Sequence, residues 1–142
     1  MLNTPNWHVP VAISLGAIAG ALCRYYLTAW TAQRFGVTFP YGTALINLTG
    51  CLGMGFVATL FSQRVMAVPP SVQLLISTGF LGAYTAFSTY ALQATLLLKR
   101  ASATTWSWWG IAAALWYWGG SALLGLLCVA LGMHLAHRVL GN

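Results

Sequence analysis

Four long apolar stretches, separated by short polar or proline-bearing segments, make up most of the chain. The first runs roughly from Val9 to Trp30, the second from Tyr41 to Phe61 and the third from Val72 to Leu98; the fourth runs from the tryptophan-rich segment at Trp106 to about Leu135. Each is long enough for a helix that crosses a bilayer, for which about 20 apolar residues suffice. The pattern therefore predicts four transmembrane helices in a single domain spanning residues 1–142. The intervening segments carry helix breakers or charge: Gly36 and Pro40 within Thr31–Pro40, Arg64 and Pro69-Pro70 within Ser62–Ser71, and Ala101–Thr105 after Lys99 and Arg100. Met1–His8 lacks the basic flank of a signal peptide, and the apolar run behind it is too long for a signal core.

The third stretch departs from an ordinary spanning helix. Its centre, Gly79-Phe-Leu-Gly-Ala-Tyr-Thr-Ala-Phe-Ser-Thr-Tyr90, mixes glycines, hydroxyl residues and aromatic rings. Gly79 and Gly82 weaken the helix just ahead of Thr85, Ser88 and Thr89, whose hydroxyls lie at membrane depth. A broken helix here would free backbone carbonyls and N–H groups able to hold ions. A kinked helix whose small residues admit a neighbour is the alternative. Phe87 and Tyr90 are i,i+3, so they share a face if the segment after the break is helical. They serve either as packing residues or as positive ring edges turned toward an anion.

The other stretches carry fewer polar positions. In the second, Thr43 and Asn47 are i,i+4 and share a face. An Asn amide in hydrocarbon needs partners; an interhelical hydrogen bond or an anion accepting from its NH₂ would each supply one. The first stretch has a Gly16-xxx-Gly20 motif suited to close helix contact. Arg24 lies about 22 Å along that helix from Val9 at 1.5 Å per residue. It either snorkels to the interface or holds positive charge at the mouth of an anion path. In the fourth, Tyr117, Ser121 and Gly125 form a polar or small stripe, and His134 and His137 sit near its end.

Composition narrows the function. The chain is 59% hydrophobic and 4% charged, with six Lys and Arg and neither Asp nor Glu. Proton-coupled pumps and drug antiporters rely on a membrane carboxylate, and Ca²⁺ or Mg²⁺ sites need carboxylate oxygens; this chain has neither. The cations are too scattered for a nucleic-acid surface. Cys23, Cys51 and Cys128 lie in separate apolar runs without metal-ligand spacing. No nucleophile–base pair or metal cluster points to an enzyme. With four spans, Arg64 and Arg138 fall on one side and Arg34, Lys99 and Arg100 on the other, a difference of one charge. The positive-inside rule then hardly selects an orientation, and two oppositely oriented copies would form an antiparallel homodimer.

These residues together resemble the Fluc, or CrcB, family of microbial fluoride channels. Gly16-Ala-Ile-Ala-Gly-Ala-Leu-Cys-Arg-Tyr25 is similar to the family's glycine-rich first span ending in Arg-Tyr. Gly42-Thr-Ala-Leu-Ile-Asn-Leu-Thr-Gly50 is similar to its G-T-x-x-x-N-x-x-G, and the Gly79–Tyr90 segment to G-F-x-G-G-x-T-T-F-S-T-F. The resemblance implies an all-α, dual-topology dimer with a broken third helix. The implied activity is passive fluoride export across a bacterial inner membrane. It also implies a pathway along Asn47, Phe87, Tyr90, Thr43, Ser88, Thr89, Tyr117 and Ser121, with Arg24 at the vestibule. A structural Na⁺ would sit at the dimer centre on the backbone carbonyls of Gly82 and Thr85. Several positions depart from the family pattern: Tyr90 adds a hydroxyl to the usual phenylalanine, Ala83 and Ala86 replace a Gly and a Thr, Gln93 stands where many members have Glu, and Gly125 stands where a serine can occur. Two further readings remain at this stage: a small multidrug-type dual-topology antiporter, and one subunit of a heteromeric membrane complex.

Overall fold

A computed structural model describes residues 7–62, 68–103 and 108–141, and among them every regular element is a helix. α1 is His8–Phe35 and α2 is Tyr41–Ser62. Gly36 ends α1 at φ 77°, a left-handed value that suits glycine, with its N–H on the Ala32 carbonyl. α3 covers residues 70–84. It opens with a regular turn at Pro70–Leu74, widens to π-type hydrogen bonding over Leu75–Leu81 and closes with Gly82–Tyr84. α4 is Phe87–Ala103. α5 covers residues 108–140 as Trp108–Leu115, a second wide stretch Trp116–Gly120, and Ser121–Leu140. Gly141, at φ 79°, caps it.

Among the described residues three helical stretches are long and apolar enough to cross a membrane: His8–Phe35, Tyr41–Ser62 and Gly110–Leu140. The third apolar stretch of the sequence is divided instead. α3 ends at Tyr84, Thr85 is extended with ψ 157°, and helix resumes at Phe87. α4, with 17 residues, spans about 25 Å at 1.5 Å per residue, short of the roughly 30 Å hydrocarbon core. The interruption falls after the glycines rather than at them, since Gly79 and Gly82 both stay helical. Several boundaries move from the sequence-based expectation. α1 runs on to Phe35, Pro70 and Ser71 are already helical, and the expected loop at Ala101 begins as helix through Ala103. Helix propensity carries α4 past its charged end, because Ala101 and Ala103 are good helix formers. The expected contributions of Arg64 and Trp106 lie outside the described residues.

Two glycine seams pair the helices. α1 packs along α3 and α2 along α5. A Cβ added at Gly16 would stand 2.1 Å from the Leu75 carbonyl oxygen, and one at Gly20 2.2 Å from that of Phe80. Between α2 and α5, a Cβ at Gly55 would meet the Val129 oxygen at 2.2 Å, and one at Gly132 the Leu52 oxygen at 2.1 Å. At such separations backbone touches backbone, the packing that substitutes for a hydrophobic drive inside lipid. Large apolar side chains such as Leu22, Leu123 and Leu127 point outward. The buried centre is aromatic instead: Tyr90, Ala94 and Tyr117, with Phe39, Ala44 and Leu97 against them. The buried Thr31 and Thr59 return their hydroxyls to carbonyls of their own helices. No buried side-chain N or O atom among the described residues lacks a hydrogen-bond partner.

Candidate functional site

The break between α3 and α4 is held by two distant side chains. Ala86 N–H donates to Asn47 Oδ1 at 2.9 Å, so α2 caps the start of α4. Arg24 Nη1 donates to the Thr85 carbonyl at 3.3 Å, tying α1 to the same point. Thr85 itself turns back, its N–H and its hydroxyl each reaching the Leu81 carbonyl at 3.2 Å. Gly50 makes room for this, since a Cβ there would fall 2.4 Å from Thr85 Cγ2.

With Oδ1 accepting from Ala86, the Asn47 NH₂ keeps two donors. The cap bond turns this NH₂ away from Ala86, in a residue that borders open space. That space is a cleft of about 360 Å³ lined by Asn47, Cys51, Thr85, Phe87, Tyr90, Ser121 and Gly125, with apolar α5 residues completing the wall. The structure thus gathers Asn47, Phe87, Tyr90 and Ser121 from three helices onto one cleft. Phe87 and Tyr90 have ring centroids 5.9 Å apart, yet their surroundings differ. Phe87 is 79% exposed whereas Tyr90 is 6% exposed.

Tyr117 is 2% exposed and sits behind Tyr90. Its ring lies 5.1 Å from that of Tyr90 and meets Phe39 edge-on at 5.4 Å. Its hydroxyl donates to Gln93 Oε1 at 3.1 Å. Beyond Tyr117 a second cavity of about 130 Å³ is lined by Thr28, Thr31, Phe39, Thr43 and Gln93 among others. Thr43 belongs to this second cavity, not to the cleft. Tyr117 touches Tyr90 of the cleft on one side and Phe39 and Gln93 of the second cavity on the other. Ser88 and Thr89, on the first turn of α4, are exposed and outside the cleft lining. The Tyr90 hydroxyl donates to the Trp118 carbonyl in the wide turn of α5.

The oxygen set at the break can be tested against a hard cation. The donor that would close the next helical turn on the Gly82 carbonyl is Ala86 N–H, which goes to Asn47 instead. The Thr85 carbonyl accepts from Arg24 and retains a second lone pair. Two backbone oxygens fit a monovalent hard cation in kind, and a single chain supplies too few of them to surround one. Among the described residues no group of three or more His, Cys, Asp or Glu could hold a metal.

Sequence reasoning missed the lining role of Cys51, although it stands one turn after Asn47 on the same face. It also missed Thr28 and Thr31, which reach the second cavity only because the 36–40 connection folds over them.

Residues 11–133 match a family model described as CrcB-like protein, Camphor Resistance (CrcB). The chain belongs to the CrcB-like family. A protein of Trichormus variabilis named fluoride-specific ion channel FluC is 53% identical over 133 residues, covering 94% of this chain and 91% of its own. One of the same name from Synechococcus sp. is 47% identical, covering 94% and 95%. Another, from Chloroflexus aurantiacus, is 44% identical over 125 residues, covering 88% and 92%. The matched region of the CrcB-like family contains the whole cleft, from Asn47 on α2 to Val129 on α5.

Proposed function

We propose that this chain is a passive, fluoride-selective channel, not an enzyme, that lets fluoride leave the cytoplasm of a bacterial cell across its inner membrane. The working unit is an antiparallel, dual-topology homodimer in the lipid bilayer, with α3 and α4 together serving as a fourth, interrupted span. The observation that carries the reading is the Asn47 amide. Its oxygen accepts the α4 cap bond, which fixes the amide's orientation and leaves both N–H donors unused in a residue that lines the cleft. The relatives' shared name points the same way.

Fluoride accepts hydrogen bonds and donates none, and dehydrating it requires substitutes for its water. The Asn47 NH₂ supplies donors, and the N-terminal turn of α4 directs its positive dipole end toward the same region. Ring edges of Phe87 and Tyr90 add weaker positive potential. Ser121 provides a hydroxyl on the opposite wall. The ion then passes Tyr117 and Thr43 toward the cavity beside Gln93. Arg24 adds positive potential in a chain without carboxylates. The high exposure of Phe87 supports a second copy, which would cover it. Ser88 and Thr89 would face that copy. When bound, sodium supplies a fixed positive charge at the dimer centre. Gly82 and Thr85 carbonyls from both subunits would hold it. An antiporter driven by protons would lack its acidic carrier here.

The test is fluoride efflux from liposomes containing only this protein, read with a fluoride electrode beside a chloride control. Fluoride release without chloride release is expected. Equal release of both, or none in sodium-containing buffer, would overturn the proposal.

A further inference from the structure

We infer that the Tyr90 hydroxyl is a positioning group that ties the two walls of the cleft together, and not a ligand of the transported ion. This deepens the channel reading and rests on it for its flux arm only.

A phenol has one proton to donate. Tyr90 gives it to the Trp118 carbonyl. Fluoride can only accept, so the hydroxyl has nothing left to offer it, and the remaining oxygen lone pairs repel an anion. The ring cannot readily turn the hydroxyl elsewhere. It is 6% exposed, with Tyr117 at 5.1 Å and Phe87 at 5.9 Å against it.

The acceptor is as informative as the donor. Trp118 lies within the wide stretch Trp116–Gly120, and its carbonyl also accepts the backbone N–H of Ser121. Wide turns of this kind open the regular ladder and free carbonyls for other partners. One carbonyl therefore joins Tyr90 on α4 to Ser121 on α5, and both residues line the cleft. α4 starts at a break, with Asn47 as its cap on the α2 side. The Tyr90–Trp118 bond is its counterpart on the α5 side. Tyr90 presents to the ion what a phenylalanine would present, and its hydroxyl acts through Trp118 to hold the ring and Ser121 in register.

Two measurements test this. In infrared spectra of the reconstituted full chain without fluoride, an isotope-labelled Trp118 carbonyl is expected to absorb at lower frequency in the native chain than in Tyr90→Phe, because only the former receives the phenol proton. Equal behaviour of the two would overturn the anchor whether or not the protein conducts. In liposome efflux, Tyr90→Phe is expected to lower the maximal fluoride rate about fivefold, the scale of one ordinary hydrogen bond, with the half-saturating fluoride concentration unchanged. A half-saturating concentration that rises in proportion to the lost rate would identify the hydroxyl as an ion ligand and overturn the inference. A native protein that fails to conduct while the carbonyl frequency difference holds would sink the channel reading and leave the anchor standing.

Discussion

Replacing Asn47 with Asp separates two roles that one amide performs. The substitution keeps an oxygen where Ala86 N–H donates at 2.9 Å and removes the NH₂ that faces the cleft. The cap should survive, because a carboxylate at a helix N-terminus is at least as good an acceptor as an amide. Two donors to a charged acceptor are lost, each worth about 1.5–3 kcal/mol. Counting a single donor at the upper end, the barrier rises by about 3 kcal/mol, or roughly 100-fold in rate. An ionised carboxylate would add like-charge repulsion of about 4 kcal/mol at 4 Å and an effective dielectric near 20. Fluoride efflux should therefore fall at least about 100-fold while the unfolding midpoint in detergent stays within a few degrees. Asn47→Ala removes the cap as well and should lose both flux and about 1 kcal/mol of stability. An Asn47→Asp variant whose flux stays close to that of the native chain would refute the assignment of the amide as the ion's donor.

Other regions give further tests. Gly132→Leu forces a side chain into a position 2.1 Å from the Leu52 carbonyl and should destabilise the fold by at least 1–3 kcal/mol, the usual scale of overpacking, in thermal unfolding. Gly119→Ala, with nothing within 4 Å of its added Cβ, should be tolerated in the same assay. Cys51 lines the cleft, so in a chain carrying Cys23→Ser and Cys128→Ser a small thiol reagent should block efflux, and the further change Cys51→Ser should abolish the block. Exchanging sodium for N-methylglucamine should lower the unfolding midpoint if the Gly82 and Thr85 carbonyls hold a cation; an unchanged midpoint would remove sodium from the proposal.

Much of this protein could be read from one dimension. Runs of apolar residues about 20 long leave little choice but helices in a bilayer, and three of the four runs became long helices almost where the pattern put them. The Gly16-xxx-Gly20 spacing announced a close seam, and Gly16 and Gly20 do meet the carbonyls of Leu75 and Phe80. The composition of 79–90, with its glycines, hydroxyls and aromatic rings, marked the segment in which the helix is interrupted. These signals are local, because burial along a helix repeats with a short period and residues that weaken a helix act where they stand.

The pairings were not legible, because they join residues far apart in the chain. Asn47 to Ala86 spans 39 positions, Arg24 to Thr85 spans 61, and Tyr90 to Trp118 spans 28. Nothing in the periodicity of one helix says which neighbour its polar group will meet. Arg24 as a sequence could snorkel or line a vestibule; packing α1 along α3 brings its guanidinium to the broken backbone at Thr85. Phe87 and Tyr90 look alike at i,i+3, yet one is exposed and the other enclosed by Tyr117 and Phe39. The difference arises from the hundred-degree turn per residue of α4 against a fixed α5, a relation that exists only once the helices have docked.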